Sequence, residues 1–364
     1  MRVLLLGAGH IGQTIARLLH GCGDYIVTVA DRNLAALERL RQQQVNTLTI
    51  DIDHAAQLSA AMQAGDAVIN ALPYQYAMQV ASLAKAANCH YFDLTEDIAA
   101  TRHIKQLALN ARTAFMPQCG LAPGFIGIVA HHLAGQFAQV DTVQMRVGAL
   151  PAFPTNSLKY NLTWSVDGLI NEYCHPCEAI HDTEQIELLP LEGLEHFSLD
   201  GVEYEAFNTS GGLGTLCETW AGKVRMLDYK SVRYPGHCEL MKTLLEDLQL
   251  KSDQETLKNI LRRAVPATMQ DVVLVFVTVS GIKQGQLVQE VFARKVFAER
   301  NELQPLSAIQ ITTAAGVCAA VDLFRQQRLP QHGFIRQEQI ALPEFLTNRF
   351  GCAYQQSRHV ESIS

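Results

Sequence analysis

No apolar run in this 364-residue chain approaches the roughly 18–20 residues needed to cross a bilayer, so no membrane partner is expected. Basic residues are in the minority. Lys and Arg number 29 against 36 Asp and Glu, for a formal charge of −7 and a pI near 6.0. That balance excludes the basic face a nucleic-acid partner requires. No Gly-x-Ser-x-Gly elbow is present for a serine hydrolase, and there is no internal repeat or low-complexity segment. The nine cysteines are odd in number and scattered, which points to reduced thiols in a cytoplasmic setting rather than a disulfide framework. Cys174-His175-Pro176-Cys177, with His181 nearby, groups metal-ligand atoms. A structural zinc needs a second ligand pair at defined spacing, and Cys217 and Cys238 are single and distant. The stretch reads as a loop, and no metal is expected.

What is present begins at the first residues. Met1 to Leu6 reads as a strand, Gly7-Ala8-Gly9-His10-Ile11-Gly12 follows, and a helical run continues through Leu19. Strand, G-x-G-x-x-G and helix in that order form a dinucleotide-binding turn. Gly7 permits the tight turn, Gly9 lets a pyrophosphate approach the backbone, and Gly12 lets helix and strand pack closely. Such an opening flows straight into the turn and leaves no room for a signal peptide. A second strand, Tyr25 to Ala30, ends at Asp31, about 20 residues past the glycines, where an acidic residue takes the ribose hydroxyls. Asp31 would repel a 2′-phosphate, so NAD is favoured as cofactor; Arg32 beside it keeps NADP open.

Strand and helix then alternate to Met116. Helices are expected over 33–43 (Asn33 as N-cap), 54–64, 75–87 and 97–110, and strands over 46–50, 67–71, 89–94 and 113–116. Repeated βα units with short links predict a doubly wound parallel sheet of the Rossmann kind. Ligands of such sheets lie at the carboxyl ends of the strands. Asp51, Asn70-Ala71-Leu72-Pro73 and Asp93-Leu94-Thr95-Glu96 therefore join Gly7 to Gly12, Asp31 and Arg32 as candidate cofactor-site positions.

The pattern changes at Gly120-Leu121-Ala122-Pro123-Gly124. A helix over 125–137 is followed by a strand over 140–149, a loop over 151–158 and a short helix over 163–173. Apolar strands 272–280 and 287–298 flank the hairpin signal Gly281 to Gly285. This region reads as an α+β substrate domain with a largely antiparallel sheet. A long helix over 306–328, rich in small residues, reads as the chain returning to the nucleotide domain. The expected domains are thus 1–122, 123–305 and 306–364, the second carrying substrate binding and dimerisation.

Three later segments stand out: Asn156 through Ser165, Thr209-Ser210-Gly211-Gly212-Leu213-Gly214-Thr215, and Lys230 through His237. With Gly7 to Gly12, Tyr91-Phe92-Asp93-Leu94-Thr95 and Gly120 to Gly124, they give the sequence its resemblance to the saccharopine dehydrogenase family, over most of the chain. Saccharopine reductases of that family typically carry Gly-Leu-Asp-Pro-Gly, where this chain has Ala122. They follow the Arg-Tyr pair with Gln-Gly-Phe, where it has Pro235-Gly236-His237. Both departures resemble the lysine 6-dehydrogenase branch instead.

That resemblance implies NAD-dependent oxidation of an amino-acid side-chain amine, giving an aldehyde and ammonia, in a homo-oligomer, expected as a dimer. By resemblance Arg233 would bind the α-carboxylate, helped by Thr209, Ser210 and the Gly211–Gly212 backbone. Tyr160, with Trp164, would wall the pocket or fill the core. Glu96, Asp93 and His237 are the candidate proton-handling groups. Two alternatives stand beside this reading: a saccharopine reductase-type enzyme that makes or cleaves a secondary amine between two amino acids, and a non-catalytic NAD-sensing protein.

Overall fold

A computed structural model of the chain describes residues 1–299 and 305–355. The chain forms two compact units, Met1–Ile128 with Thr312–Ala353, and Val129–Ile311 with Tyr354 and Gln355.

The first unit is a seven-stranded, fully parallel sheet. Its elements in chain order are β1 (Arg2–Leu6), α1 (His10–Gly21), β2 (Ile26–Asp31), α2 (Leu34–Arg41), β3 (Asn46–Thr49), α3 (Ala55–Gln63), β4 (Ala67–Asn70), α4 (Ala77–Ala86), β5 (His90–Asp93), α5 (Ile98–Ala108) and β6 (Ala114–Met116). The spatial order β3-β2-β1-β4-β5-β6 is the Rossmann order. Gly333–Phe334 adds a short strand beside β6. Strands buried on both faces need apolar residues throughout, and β1 and β4 supply them. Leu4, Leu6, Val68, Tyr91 and Phe115 pack with Leu58 of α3, Val80 and Ala84 of α4, and Ile104 of α5. Local signals set the helix starts: Asn33 accepts from Ala36 N at 3.1 Å and Asp97 from Ala100 N at 2.6 Å.

α6 (Phe125–Ala134) crosses between the units. The expected boundary after Ala122 moves to Ile128, because the turn before α6 stays with the first unit. Phe125 N donates to Gly120 O at 3.0 Å, and the Phe125 ring lies 5.2 Å from that of Phe345. The helix Ala308–Arg325 is, against expectation, long and apolar enough to cross a membrane by length and composition alone; 89% of it is buried inside the protein. Within the first unit its Asp322 accepts from the Tyr25 hydroxyl at 2.7 Å, and Phe324 meets Phe92 edge-on at 5.3 Å. Of the expected 306–364 segment, residues 356–364 lie outside the described residues.

The second unit is an eight-stranded mixed sheet. It comprises β7 (Gln139–Pro151), α7 (Val166–Cys174), β8 (Cys177–His181), β9 (Glu184–Leu188), β10 (Glu195–Leu199), β11 (Val202–Asn208), α8 (Leu216–Trp220), β12 (Met226–Arg233), α9 (His237–Lys242), α10 (Gln254–Ala264), β13 (Asp271–Lys283) and β14 (Gln286–Phe297). The main path runs β10-β11-β12-β7-β13-β14. Only β7 and β12 pair in parallel; the rest are antiparallel. Three hairpins close on two-residue turns, Asp182-Thr183, Asp200-Gly201 and Gln284-Gly285, with positive φ at both positions. Such turns match the twist of the strands they join.

The expected hairpin loop Gly281–Gly285 shrinks accordingly, since β13 runs on through Lys283. The Cys174–Cys177 stretch, read as a loop, is the end of α7, a short link and the start of β8. Both thiols are buried, and burial pushes Cys177 up to about 12. α7, α9 and α10 cover one sheet face, where Leu169, Tyr173, Cys238, Met241, Leu257 and Leu261 pack with Phe207.

Candidate active site

In the first unit the expected cofactor residues fall at the carboxyl ends of five adjacent strands. Gly7 follows β1, and its N–H donates to Ala30 O at 2.9 Å, as Ala71 N does to Leu6 O. The ends of β1, β2 and β4 are thereby level. A Cβ on Gly12 would lie 1.9 Å from Gly7 O, so only glycine allows α1 this close to the turn. A Cβ on Gly9 would meet nothing within 4 Å. That open space lies at the start of α1, where no side chain caps the helix and no acidic residue stands in the first turn. Exposed N–H groups and the positive end of the helix dipole fit a pyrophosphate there. His10 is exposed and Ile11 half-buried on the same turn.

Asp31 ends β2. Its carboxylate accepts from Ala8 N at 2.6 Å and from Asn33 N at 2.7 Å. Each oxygen keeps a lone pair for a ribose hydroxyl. Arg32 beside it is exposed. Asp51, half-buried at the end of β3, accepts from Asp53 N at 3.2 Å. Asn70 Oδ1 accepts from Leu72 N at 3.2 Å, shaping the turn into exposed Pro73.

The end of β5 holds two of the proposed proton carriers, in different states. Asp93 is buried and takes three hydrogen bonds: from Tyr91 Oη at 2.7 Å, Thr95 N at 3.0 Å and Gln118 N at 2.8 Å. Burial raises its carboxyl to about 6 against those bonds. Asp93 thereby stitches the β5 and β6 loops together, a structural task beside the proton handling expected of it; Oδ1 takes two of the bonds and Oδ2 one. Glu96, two residues past Leu94, is half-buried. Burial, with the charges of Asp97 and Asp93 adding, raises its carboxyl to about 7. A group that exchanges a proton near neutrality suits acid–base work.

In the second unit Arg233 ends β12 and is 3% exposed. Its Nε donates to Tyr173 Oη at 2.9 Å and one terminal nitrogen to Val232 O at 2.8 Å. The guanidinium lies 5.2 Å from the Tyr160 ring centroid and 5.8 Å from that of Tyr173. Among the described residues no carboxylate comes within ion-pair distance of it. Burial works against its charge, while Tyr173, Tyr160 and Glu172 nearby hold the proton on. A buried cation with N–H donors to spare has the geometry to pair with a carboxylate.

His237, the third expected base, is 1% exposed. Its Nδ1 lies 2.8 Å from Leu158 O and its Nε2 3.1 Å from Tyr173 Oη. A carbonyl only accepts, so Nδ1 carries the proton and Nε2 receives the Tyr173 hydroxyl. Burial, then the charge of Arg233, lowers the imidazole to about 3. His237 therefore stays neutral and holds Tyr173, which holds Arg233; it is a positioning residue.

Thr209 Oγ1 and Ser231 Oγ share a hydrogen bond of 2.8 Å, and Ser210 N donates to Glu172 O at 3.0 Å. Gly211 has φ +88°, which turns the chain. Gly212 is there for packing: a Cβ would lie 2.2 Å from the Tyr229 ring. Tyr160 Oη accepts from Trp164 Nε1 at 3.1 Å. Tyr173 and Glu172 were not legible as site residues, because α7 is buried over nearly its whole length and reads as core.

A Rossmann sheet with an open glycine turn and an acidic residue ending β2 defines a nicotinamide dinucleotide-dependent oxidoreductase. The chain belongs to the saccharopine dehydrogenase family: residues 3–115 match its NADP-binding domain and 120–350 its C-terminal domain. Family members are oxidoreductases acting on CH–NH groups. The chain is 23% identical over 320 residues to the L-glutamate-forming, NADP-dependent saccharopine dehydrogenase of Pyricularia oryzae, covering 84% of this chain and 69% of that one. Its fold is similar to apo saccharopine dehydrogenase (L-Glu forming) from Saccharomyces cerevisiae, with a TM-score of 0.80 at 17% identity over 96% and 98% of the two chains. It is also similar to the homospermidine synthase of Legionella pneumophila solved with NAD, with a TM-score of 0.69 at 14% identity over 97% and 89%.

Proposed function

We propose that the protein is an NAD-dependent dehydrogenase that oxidises the side-chain amine of an amino acid to an aldehyde and ammonia, with L-lysine as the first substrate to test. The observation that carries this is Arg233, a buried guanidinium held by Tyr173 and Val232 with N–H donors to spare. It suits the α-carboxylate of a free amino acid, leaving the far amine to react. Bound at the glycine turn, the dinucleotide supplies the hydride acceptor. Glu96 takes the proton released as the ammonium becomes an iminium and passes it to solvent; water then adds to the iminium, and the proton water gives up leaves with the nitrogen as ammonium. NAD is favoured because Asp31 presents a carboxylate at the ribose position, where a 2′-phosphate would be repelled.

The second reading is a saccharopine reductase-type enzyme using NADP. The family's NADP-binding domain and the Pyricularia relative favour it. Following reduced-cofactor absorbance with NAD and NADP, across lysine, other diamines and saccharopine, separates the two. Turnover of lysine with NAD supports the proposal. Turnover only of saccharopine, or only of a keto acid with an amino acid in reverse, overturns it in favour of the second. Tight NAD binding without any turnover would leave a sensor.

A further inference from the structure

Tyr229, Ser231 and Arg233 alternate along β12 and so share one face of the sheet. All three are buried. Residues directly opposite in an antiparallel ladder also share a face. Phe207, which packs with Tyr173 of α7, is the partner of Ser231, and Glu205 is the partner of Arg233. A carboxylate set across from a buried guanidinium is placed to close on it. Glu205 instead turns both oxygens to the start of α9: Oε2 accepts from Gly236 N at 2.7 Å and Oε1 from Cys238 N at 2.6 Å. Its charge is spent on those two amides, and the guanidinium is left for another group.

A second buried carboxylate, Glu172, stands beside the same row. It precedes Tyr173, whose hydroxyl takes Nε–H of Arg233. Its main-chain oxygen accepts from Ser210 N at 3.0 Å, and the adjacent Thr209 shares a hydrogen bond with Ser231. Glu172 is thereby tied to the row at Ser231 as well as at Arg233. Its charge reaches Arg233, Tyr160, Tyr173 and Tyr229. A carboxylate accepts on two oxygens with about four lone-pair sites, so a bond within the chain leaves room for an ammonium. A buried cation and a buried anion over one stretch of strand match the two charges that a free α-amino acid carries on a single carbon. A ligand with the carboxylate alone would leave Glu172 desolvated without gain, which is how a polar site rejects an analogue that lacks a donor.

We infer that Glu172 receives the α-ammonium of the amino acid whose α-carboxylate meets Arg233, so that the second unit selects zwitterionic α-amino acids and rejects amines that lack the α-amino group. The inference rests on Arg233 as the carboxylate partner, which both readings of the function share. It depends neither on the choice of dinucleotide nor on which amine reacts.

Calorimetric titration of the full-length protein with cofactor present tests it. Lysine is compared with 6-aminohexanoate, which is lysine without the α-amine, and with Nα-acetyl-lysine, whose α-nitrogen is neutral. The parent is expected to bind lysine about tenfold or more tightly than either. Glu172→Gln should lose most of that ratio through a fall in lysine affinity. Glu172→Asp keeps the charge and should keep part of the ratio; should Glu172→Gln not fold, it reads the same quantity. Glu205→Gln loosens the start of α9 and should weaken all three ligands together, as a purely structural change does, with the ratio kept. Equal binding of lysine and 6-aminohexanoate by the parent, or the parent's ratio in Glu172→Gln, overturns the inference. Binding of none of the three overturns it together with the assignment of Arg233. Turnover is read separately: lysine bound with the expected preference but not oxidised counts against the dehydrogenase reading and supports the inference.

Discussion

Tyr173 gives its hydroxyl proton to Nε2 of His237 across 3.1 Å while receiving Nε–H of Arg233 at 2.9 Å. The three side chains form one directed chain, ending where Nδ1–H of His237 meets the Leu158 carbonyl at 2.8 Å. Each bond fixes the direction of the next, so the guanidinium is aimed before any ligand arrives.

Removing the far end of that chain should loosen the near end. His237→Phe keeps a ring of similar shape and deletes both polar contacts. One neutral hydrogen bond is worth about 1 kcal/mol, so the KM for the amino acid should rise about fivefold while kcat moves less and cofactor affinity stays put. Steady-state kinetics with each ligand varied checks this. A large fall in kcat together with a lost near-neutral inflection would return His237 to proton transfer.

Glu96 should set the pH dependence. With its carboxyl near 7, the deprotonated base accumulates as pH rises, so the oxidation rate should climb through about pH 7. Glu96→Gln should lower kcat about 10²–10⁴-fold and flatten that limb. Stability runs the other way. The folded carboxyl is raised above its ordinary value of 4.5, so its contribution is present below that value and is lost as pH rises through about 7. The melting temperature of Glu96→Gln should therefore exceed the parent's at about pH 8, and the gap should close toward about pH 4. An unchanged pH–rate profile would exclude Glu96 as the base.

The glycine turn offers a paired comparison. Gly9 has an extended backbone, φ −69° and ψ −173°, and open space around a Cβ, so Gly9→Ala should fold and melt like the parent. Its methyl group would occupy the space left for the pyrophosphate, and cofactor affinity should fall about tenfold or more. Gly12→Ala drives a Cβ into Gly7 O at 1.9 Å and should destabilise the first unit outright, by more than the 1–3 kcal/mol or so typical of overpacking. Thermal melts with dinucleotide titration distinguish the two. Equal affinity in Gly9→Ala and the parent would move the phosphates elsewhere.

The nucleotide half was legible in the sequence because its signals are local. Apolar strands, glycines at fixed spacing, and the caps Asn33 and Asp97 all lie within a few residues of the elements they define. In the substrate half, β8 to β12 went unread. β9 and β10 have no buried residue, and Glu184 and Glu187 of β9 are exposed, which dilutes the alternation; β11 is buried from Tyr204 to Asn208 and carries Glu205 inside, which breaks it. Asp200-Gly201 was a turn signal strong enough to find the β10–β11 hairpin. The site failed differently. Arg233 was singled out through the family resemblance, but the partners that aim it come from α7 and α9, and His237 and Asp93 are pushed away from their ordinary ranges chiefly because the fold buries them. Burial is a long-range property, and no short motif encodes it.

The 2.6 Å bond from Ala8 N to Asp31 ties two tasks to one carboxylate. The residue that would choose between cofactors also braces the loop that would hold their phosphates. A single substitution at position 31 cannot change the preference without loosening the brace. Lineages that exchange one dinucleotide for the other on this scaffold should therefore carry a compensating change in the Gly7–Gly12 turn, and engineered switches at position 31 alone should gain the new cofactor while binding both more weakly.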